Sequence, residues 1–202
     1  MGTSFSFLKN YSLGLSVGYS ITEDAEINKK IEGFGANVFL SASYSKLKIS
    51  GRVFYGEPTF AGNARGRMDS YGNAMYKLKD NSFISANYTS FQQKMYSQFG
   101  ITDETPQKNN MHQMKILYQT NTKQNLGIGA GAWFDSRGSN TFYGFNPEHW
   151  FSSVSSMANI QLRYRGKNTP INVSSELRGG VNYITDYSNE YAGVIIENIG
   201  NR

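Results

Sequence analysis

Large apolar residues alternate with small polar residues without a break from Tyr11 to Ile21. Every odd position in this stretch is apolar, and every even position is Ser or Gly. Successive side chains of a strand point to opposite faces, so the pattern predicts one apolar face and one face of small polar groups. A soluble antiparallel sheet normally carries charged and larger polar side chains on its solvent face, whereas the non-apolar face here is small and almost uncharged. The pattern is typical of a strand whose apolar face contacts lipid and whose other face lines a polar interior.

The same alternation recurs along the chain and predicts ten strands separated by polar or Gly-rich connections. We expect an all-β fold, an antiparallel up-and-down transmembrane β-barrel of about ten strands. Residues 1–202 form a single barrel domain in this interpretation, or a portion of a larger barrel. The predicted strands are 11–21, 33–44, 47–56, 67–78, 82–92, 111–120, 125–135, 151–164, 170–184 and 191–198.

The connections between these strands alternate between long and short. Long ones follow the first, third, fifth and seventh predicted strands, and short ones follow the second, fourth, sixth and eighth. Tight turns at one rim and longer loops at the other are typical of outer-membrane barrels. The pattern therefore favours the bacterial outer membrane as the location.

Tyrosines concentrate on the predicted lipid face, mostly near strand ends. Such rings form girdles at the two membrane interfaces, although the high β-propensity of Tyr also explains their presence in strands. The tyrosines on this face are Tyr11, Tyr19, Tyr44, Tyr55, Tyr76, Tyr88, Tyr118, Tyr164 and Tyr183.

Composition narrows the protein class. Charged residues make up 17% of the chain, below the roughly 25% of ordinary soluble domains. No run of eighteen or more apolar residues occurs, which argues against a membrane-spanning helix. Cys is absent, so disulfides and thiolate metal sites are excluded. Residues 1–7 lack a signal-peptide pattern; since a barrel requires export, we expect Met1 to follow a removed leader, with a cytosolic protein as the competing explanation.

The charged residues of the predicted strands fall on the face opposite the apolar one. This face is expected to line the lumen, and its balance is positive. Buried charges need partners or water, so the set predicts either a network that fills a narrow barrel or a channel that prefers anionic or polar solutes. The predicted lumen-lining residues are Lys48, Arg52, Arg67, Asp69, Lys77, Lys115, Arg163, Glu176 and Arg178.

Evidence for catalysis is weak. Asp135, Ser136 and His149 fall near the predicted long-loop rim, but no nucleophile-elbow glycines surround Ser136. The glycines of 127–131 recur with a period of two, which indicates a strand with a bare inward face and not a nucleotide loop. The basic residues lie on separate strands and form no nucleic-acid-binding stripe. We expect no enzyme activity, no cofactor and no metal.

The segment 141–151 is the most distinctive connection, with five aromatic residues around Asn146-Pro147. Aromatic rings stack on sugar rings, and they also form membrane girdles, so both interpretations stay open. The possible glycan-contacting residues are Phe142, Tyr143, Phe145 and Trp150.

Residues 142–183 resemble the late strands of bacterial exopolysaccharide-secretion porins, specifically the C-terminal barrel of the cellulose-export subunit. Phe145-Asn146-Pro147, Trp150 and Gly179-Gly180 carry the resemblance. It implies a porin-like passage for a polysaccharide chain, in contact with outer-membrane lipid and without chemistry of its own. The chain departs from that family in its smaller number of strands, in lacking the helical repeat region, and in ending ENIGNR without a terminal aromatic residue.

Three other functions compete with a porin-like channel. One is a closed structural or adhesive outer-membrane barrel that acts through its long loops. Another is a barrel-embedded hydrolase that uses His149. The third is a soluble antiparallel β-protein whose apolar stripe, including Leu13, Leu40 and Ile160, points into a sealed core.

Overall fold

The computed structural model of this chain is an antiparallel sheet. It describes residues 2–7, 10–24, 29–61, 65–78, 81–95, 107–121, 126–140, 151–165, 172–186 and 189–201. Within these ranges, no helix is long and apolar enough to cross a membrane.

The described residues form eleven strands, each paired with the next along the chain in one antiparallel up-and-down sheet. The predicted all-β, antiparallel fold is therefore confirmed. The strands are β1 (Gly2–Phe7), β2 (Tyr11–Asp24), β3 (Lys29–Tyr44), β4 (Leu47–Gly56), β5 (Arg67–Lys77), β6 (Ser82–Met95), β7 (Gln107–Asn121), β8 (Leu126–Ser139), β9 (Phe151–Arg165), β10 (Asn172–Asp186) and β11 (Asn189–Asn201).

Register places the apolar residues of neighbouring strands beside one another. Leu13 pairs with Leu40 and Leu15 with Val38. Since both members of a pair lie on the same face of a sheet, each pairing extends the apolar face by one strand. The sheet therefore has one continuous apolar surface, hereafter the outer face, and one opposite surface, the inner face.

The outer face is exposed. Leu13 is 39% exposed, Leu15 45% and Ile160 54%. In the described part of the chain, the only buried apolar residues are Ile31, Leu117 and Met157. The apolar stripe therefore does not point into a sealed core, as the soluble interpretation required.

The tyrosines predicted for the lipid face all lie on the outer face and are exposed by 42% or more. Tyr44 and Tyr76 each pair with Leu47, and Tyr118 pairs with Ile84, which pairs with Tyr76. These three rings therefore share one row near the short-turn ends of their strands, while Tyr19 and Tyr183 lie towards the other end.

Two boundary predictions are wrong. The sequence pattern missed β1, whose six residues pair with β2 from Gly2↔Ser16 to Phe7↔Tyr11. The charged run after Ile21, predicted as a long loop, instead extends β2 and β3, so only 25–28 connects them. Glu23 pairs with Lys30, and opposite charges on paired residues stabilise a ladder.

The remaining connections follow the predicted asymmetry more closely. Tyr44 and Leu47 flank a turn at Ser45, whose φ is 41°. Asn81, with a φ of 59°, ends the next turn at the same edge, and Asn tolerates this left-handed region better than most residues. The strand ends joined by the longer connections 57–66, 96–106 and 140–150 lie at the opposite edge.

Closure of the sheet into a barrel stays a prediction. Pairing runs from β1 to β11, and no pairing joins these two edge strands within the described ranges. An up-and-down sheet of eleven strands has its first and last strands running in the same direction, so direct closure would be a parallel pairing.

Candidate functional site

The inner face holds all nine residues predicted to line a lumen. Register brings them to this face because Arg52 pairs with Tyr71, Lys115 with Trp133 and Arg178 with Asn159. That the face encloses a lumen stays a prediction. The nine residues separate into a compact cluster, a cavity and isolated cations.

The compact cluster is centred on Glu176 of β10. We call it the Trp133 cluster and define it by Lys115, Trp133, Asn159, Gln161, Glu176 and Arg178. The Glu176 carboxylate accepts hydrogen bonds from Lys115 Nζ at 2.8 Å and from Arg178 Nε at 2.9 Å. It also accepts from Asn159 Nδ2 at 3.1 Å and from Gln161 Nε2 at 2.6 Å.

The indole of Trp133 contacts both cations of this cluster. The Arg178 guanidinium carbon lies 3.9 Å from a Trp133 ring centroid, and Lys115 Nζ lies 5.5 Å from one. Trp gives the strongest cation–π attraction among the aromatic side chains. The ring therefore holds the two cations that also neutralise Glu176.

The Trp133 cluster is largely shielded from solvent. The side chains of Lys115, Glu176 and Arg178 are 16%, 14% and 13% exposed. Asn159 is 2% exposed, and its Oδ1 has no hydrogen-bond partner in the described part of the chain. Buried ion pairs with these additional hydrogen bonds act as a fixed structural network.

Glycines of β8 make room for this network. Gly129 lies in register between Gln119 and Gln161, and Gln119 Nε2 donates to Gln161 Oε1 across it at 3.1 Å. A Cβ on Gly131 would overlap the carbonyl oxygen of Ile116. The period of two in Gly127, Gly129 and Gly131 thus creates the bare inward surface that the sequence indicated.

A cavity of about 490 Å³ lies on the inner face between β4 and β7. We call it the Arg52 cavity. Arg67 at its edge binds both carboxylate oxygens of Asp69, with Nε at 2.8 Å and Nη2 at 2.6 Å. The same guanidinium lies 5.2 Å from the Phe91 ring centroid. The lining residues are Arg52, Arg67, Asp69, Ser70, Tyr71, Thr89, Ser90, Phe91 and Met111.

Part of the connection after β4 folds onto the inner face beside β2 and β3. Ala61 N donates to Ser20 Oγ at 3.0 Å, and Phe34 N donates to Glu57 Oε2 at 2.9 Å. The Phe60 ring covers Gly18 and Gly35, at which an added Cβ would be 3.2 and 3.1 Å from its Cζ atom. The sequence predicted only a Gly-rich loop here, so the inward fold is a new feature.

Three of the nine predicted residues join neither the cluster nor the cavity. Lys48, Lys77 and Arg163 are exposed and lie near the short-turn ends of β4, β5 and β9. None of them forms an ion pair with another described residue. Their charge is therefore accessible to solvent or to a solute.

The hydrolase alternative gains no support from the described residues. Asp135 and Ser136 are consecutive on β8, so their side chains point to opposite faces. Asp135 Oδ2 accepts a hydrogen bond from Arg137 Nε at 2.9 Å. His149 and the possible glycan-contacting residues Phe142, Tyr143, Phe145 and Trp150 lie outside the described residues.

Sequence reasoning missed the uncharged members of both sites. Trp133, Asn159 and Gln161 complete the cluster, and Tyr71 and Phe91 line the cavity. The signal was available, because each occupies the inward parity of its strand. The predicted lumen-lining set contained only charged residues, so it omitted the uncharged residues that bind or surround those charges.

The described residues contain no group of three or more His, Asp or Glu side chains arranged to hold a metal ion. The inner face presents instead guanidinium, ammonium, amide and aromatic groups, which suit binding of polar or anionic molecules. Comparisons of this chain with protein-family models, with curated proteins and with solved structures give no match.

Proposed function

We propose that this chain forms an outer-membrane β-barrel that acts as a porin-like channel, with no enzymatic role. The observation that supports this most is the distribution of side chains, which is the reverse of that in a soluble sheet. Large apolar side chains cover the exposed outer face, while the amides Gln119, Asn159 and Gln161 are buried on the inner one. Monomeric soluble proteins rarely expose a continuous apolar surface of this size, whereas a barrel in lipid requires it.

The length of the apolar segments supports membrane insertion. Every outward position is apolar from Tyr11 to Ile21 on β2 and from Leu126 to Phe134 on β8. A tilted transmembrane strand needs about 9–11 residues. The strands continue beyond these segments with polar residues, for example Thr22 and Glu23 on β2, as expected where a strand leaves the hydrocarbon.

The proposed cargo is a polysaccharide chain, exported by a system of the cellulose-export type. Support comes from the resemblance of residues 142–183 to export porins and from the aromatic side chains beside polar groups on the inner face. Tyr71 and Phe91 in the Arg52 cavity are such residues. Rings of this kind suit the C–H faces of sugars, while neighbouring polar groups suit their hydroxyls.

A closed structural or adhesive barrel is the second candidate. Two observations favour it: the Trp133 cluster spans from β7 to β10 across the inner face, and Phe60 covers part of β2 and β3. Barrels of about eight strands are filled by side chains, and wide aqueous pores need more strands. In this case the long connections would carry the function.

Two measurements test these functions. Protein prepared without detergent should aggregate, and protein refolded into phospholipid vesicles should be inserted and protected from protease; a monodisperse solution without detergent would contradict membrane insertion. In planar bilayers the channel should give discrete ionic currents. Inserted protein that passes no current at any voltage would remove the channel and leave the closed barrel.

A further inference from the structure

The Arg52 cavity combines two rows of side chains with different chemistry. Arg52 pairs in register with Tyr71, and Tyr71 with Thr89, which gives a row of hydrogen-bonding groups that also contains the Tyr71 ring. In the next row, Asp69 pairs with Phe91, and Phe91 with Met111, so this row is apolar beyond the Arg67–Asp69 pair. A molecule in the cavity therefore meets donors on one side and an apolar surface on the other.

The cavity also carries one uncompensated positive charge. The charges of Arg67 and Asp69 cancel, because the guanidinium binds both oxygens of the carboxylate. Arg52 is exposed and makes no ion pair or hydrogen bond with another described residue. Its guanidinium is thus a free, planar donor that matches the geometry of a carboxylate.

We propose that the Arg52 cavity binds a sugar unit that carries a carboxylate, such as a uronic acid residue. The Arg52 guanidinium binds the carboxylate through paired hydrogen bonds, Tyr71 and Phe91 contact the C–H face of the ring, and Thr89 bonds a hydroxyl. The cavity volume lies within the roughly 300–1,000 Å³ of small-molecule sites. This inference rests on the proposed function, because it identifies the exported glycan as acidic.

A carboxylated sugar suits the site better than simpler ligands. A neutral sugar contacts the rings but leaves Arg52 without a counter-charge. A small anion such as acetate satisfies Arg52 but does not cover Tyr71, which is 45% exposed, or Phe91. Only a ligand with both an anionic group and a ring uses both rows.

Binding can be measured by saturation-transfer NMR on protein in lipid nanodiscs, titrated separately with glucuronate, glucose and acetate. We expect glucuronate to bind at least about 10-fold more tightly than glucose or acetate, as befits a charge-assisted hydrogen bond. Arg52→Gln should weaken glucuronate binding by about 10-fold and leave glucose unchanged. Arg163→Gln is the matched control, since it removes an exposed inner-face cation outside the cavity, and it should have no effect.

Several results would overturn the proposal. These are no binding of glucuronate, acetate binding as tightly as glucuronate, or equal weakening by Arg52→Gln and Arg163→Gln. The heat-dependent electrophoretic shift of each variant should match that of the parent, which shows that the variant is folded. Arg52→Lys keeps the charge but not the planar guanidinium, so its affinity for glucuronate should lie between those of Arg52→Gln and the parent. Conductance of the same preparation separates the two proposals: current without glucuronate binding removes the acidic ligand alone, and binding without current removes the channel alone.

Discussion

The two faces of this sheet are held in different ways. On the outer face, Leu13, Leu15 and Ile160 remain exposed and depend on whatever surrounds the protein. On the inner face, Glu176 binds four named donors from β7, β9 and β10. The outer face therefore requires only apolar character, whereas the inner face requires particular residues at particular positions.

The same difference separates the two inner-face sites. In the Trp133 cluster a carboxylate is surrounded by cations and amides, and little solvent reaches it. In the Arg52 cavity the carboxylate of Asp69 forms its ion pair with Arg67, and Arg52 has no ion-pair partner among the described residues. A surplus of cations therefore does not by itself leave one of them free, because both cations of the Trp133 cluster bond Glu176. The Arg52 cavity differs because only Arg67 bonds Asp69, and Arg52 bonds no described carboxylate.

The largest effect is expected from a charge on the outer face. Leu15→Arg should lower the free energy of unfolding by about 2–4 kcal/mol, the cost of Arg at the middle of a barrel's lipid face. The free energy of unfolding can be measured by urea titration of protein in phospholipid vesicles, with electrophoretic mobility as the signal of folding. Ser16→Arg is the control because the next side chain points inward. Equal tolerance of the two substitutions would show that the outer face does not contact hydrocarbon.

Removing the carboxylate of the Trp133 cluster should have the next largest effect. Glu176→Gln leaves Lys115 and Arg178 largely buried without a counter-charge, and breaking a buried pair in this way costs about 3 kcal/mol. The same urea titration gives the loss.

Asp69→Asn is the matched control for that substitution. Its partner Arg67 has a side chain that is 38% exposed, so solvent replaces part of the lost attraction and the cost should stay below about 1 kcal/mol. If both variants lost the same stability, the Trp133 cluster would not be the tighter network.

Glycines on the inner face leave space that neighbouring atoms occupy, whereas a glycine on the outer face can accept a Cβ without a clash. Gly131→Ala should destabilise by about 2 kcal/mol, because its Cβ overlaps the Ile116 carbonyl and overpacking costs roughly 1–3 kcal/mol. On the outer face, a Cβ at Gly72 would meet nothing closer than Tyr88 Cβ at 3.9 Å. Gly72→Ala should therefore be nearly neutral by thermal unfolding in detergent, and a loss equal to that of Gly131→Ala would contradict this contrast.

Local pattern was sufficient to predict which face each residue occupies. Leu13 and Leu40 lie on one face because alternation alone fixes the direction of their side chains. Pattern was insufficient where a long-range partner decides the outcome. The run from Thr22 to Glu32 resembles a loop until Glu23 is placed opposite Lys30.

The sites depend on such partners even more. Lys115 and Glu176 are 61 residues apart, with two strands between them. Alternation put both on the inner face and indicated the bare glycines of β8 between them, but it could not show that these two side chains meet. The inward fold of Phe60 depends likewise on Gly18 and Gly35, which come from two earlier strands.

The smallest and most local contrast compares two consecutive residues of β9. Ile160 is 54% exposed on the outer face, so Ile160→Leu keeps the apolar character and should change the free energy of unfolding by less than about 0.5 kcal/mol. Gln161→Leu removes the acceptor of Gln119 and a donor to Glu176, and leaving these buried groups without a partner should cost about 1–2 kcal/mol. Urea titration of both variants in the same vesicles resolves this difference. If Ile160→Leu were the more costly change, specific packing would lie on the outer face, and that face would cover a protein partner instead of lipid.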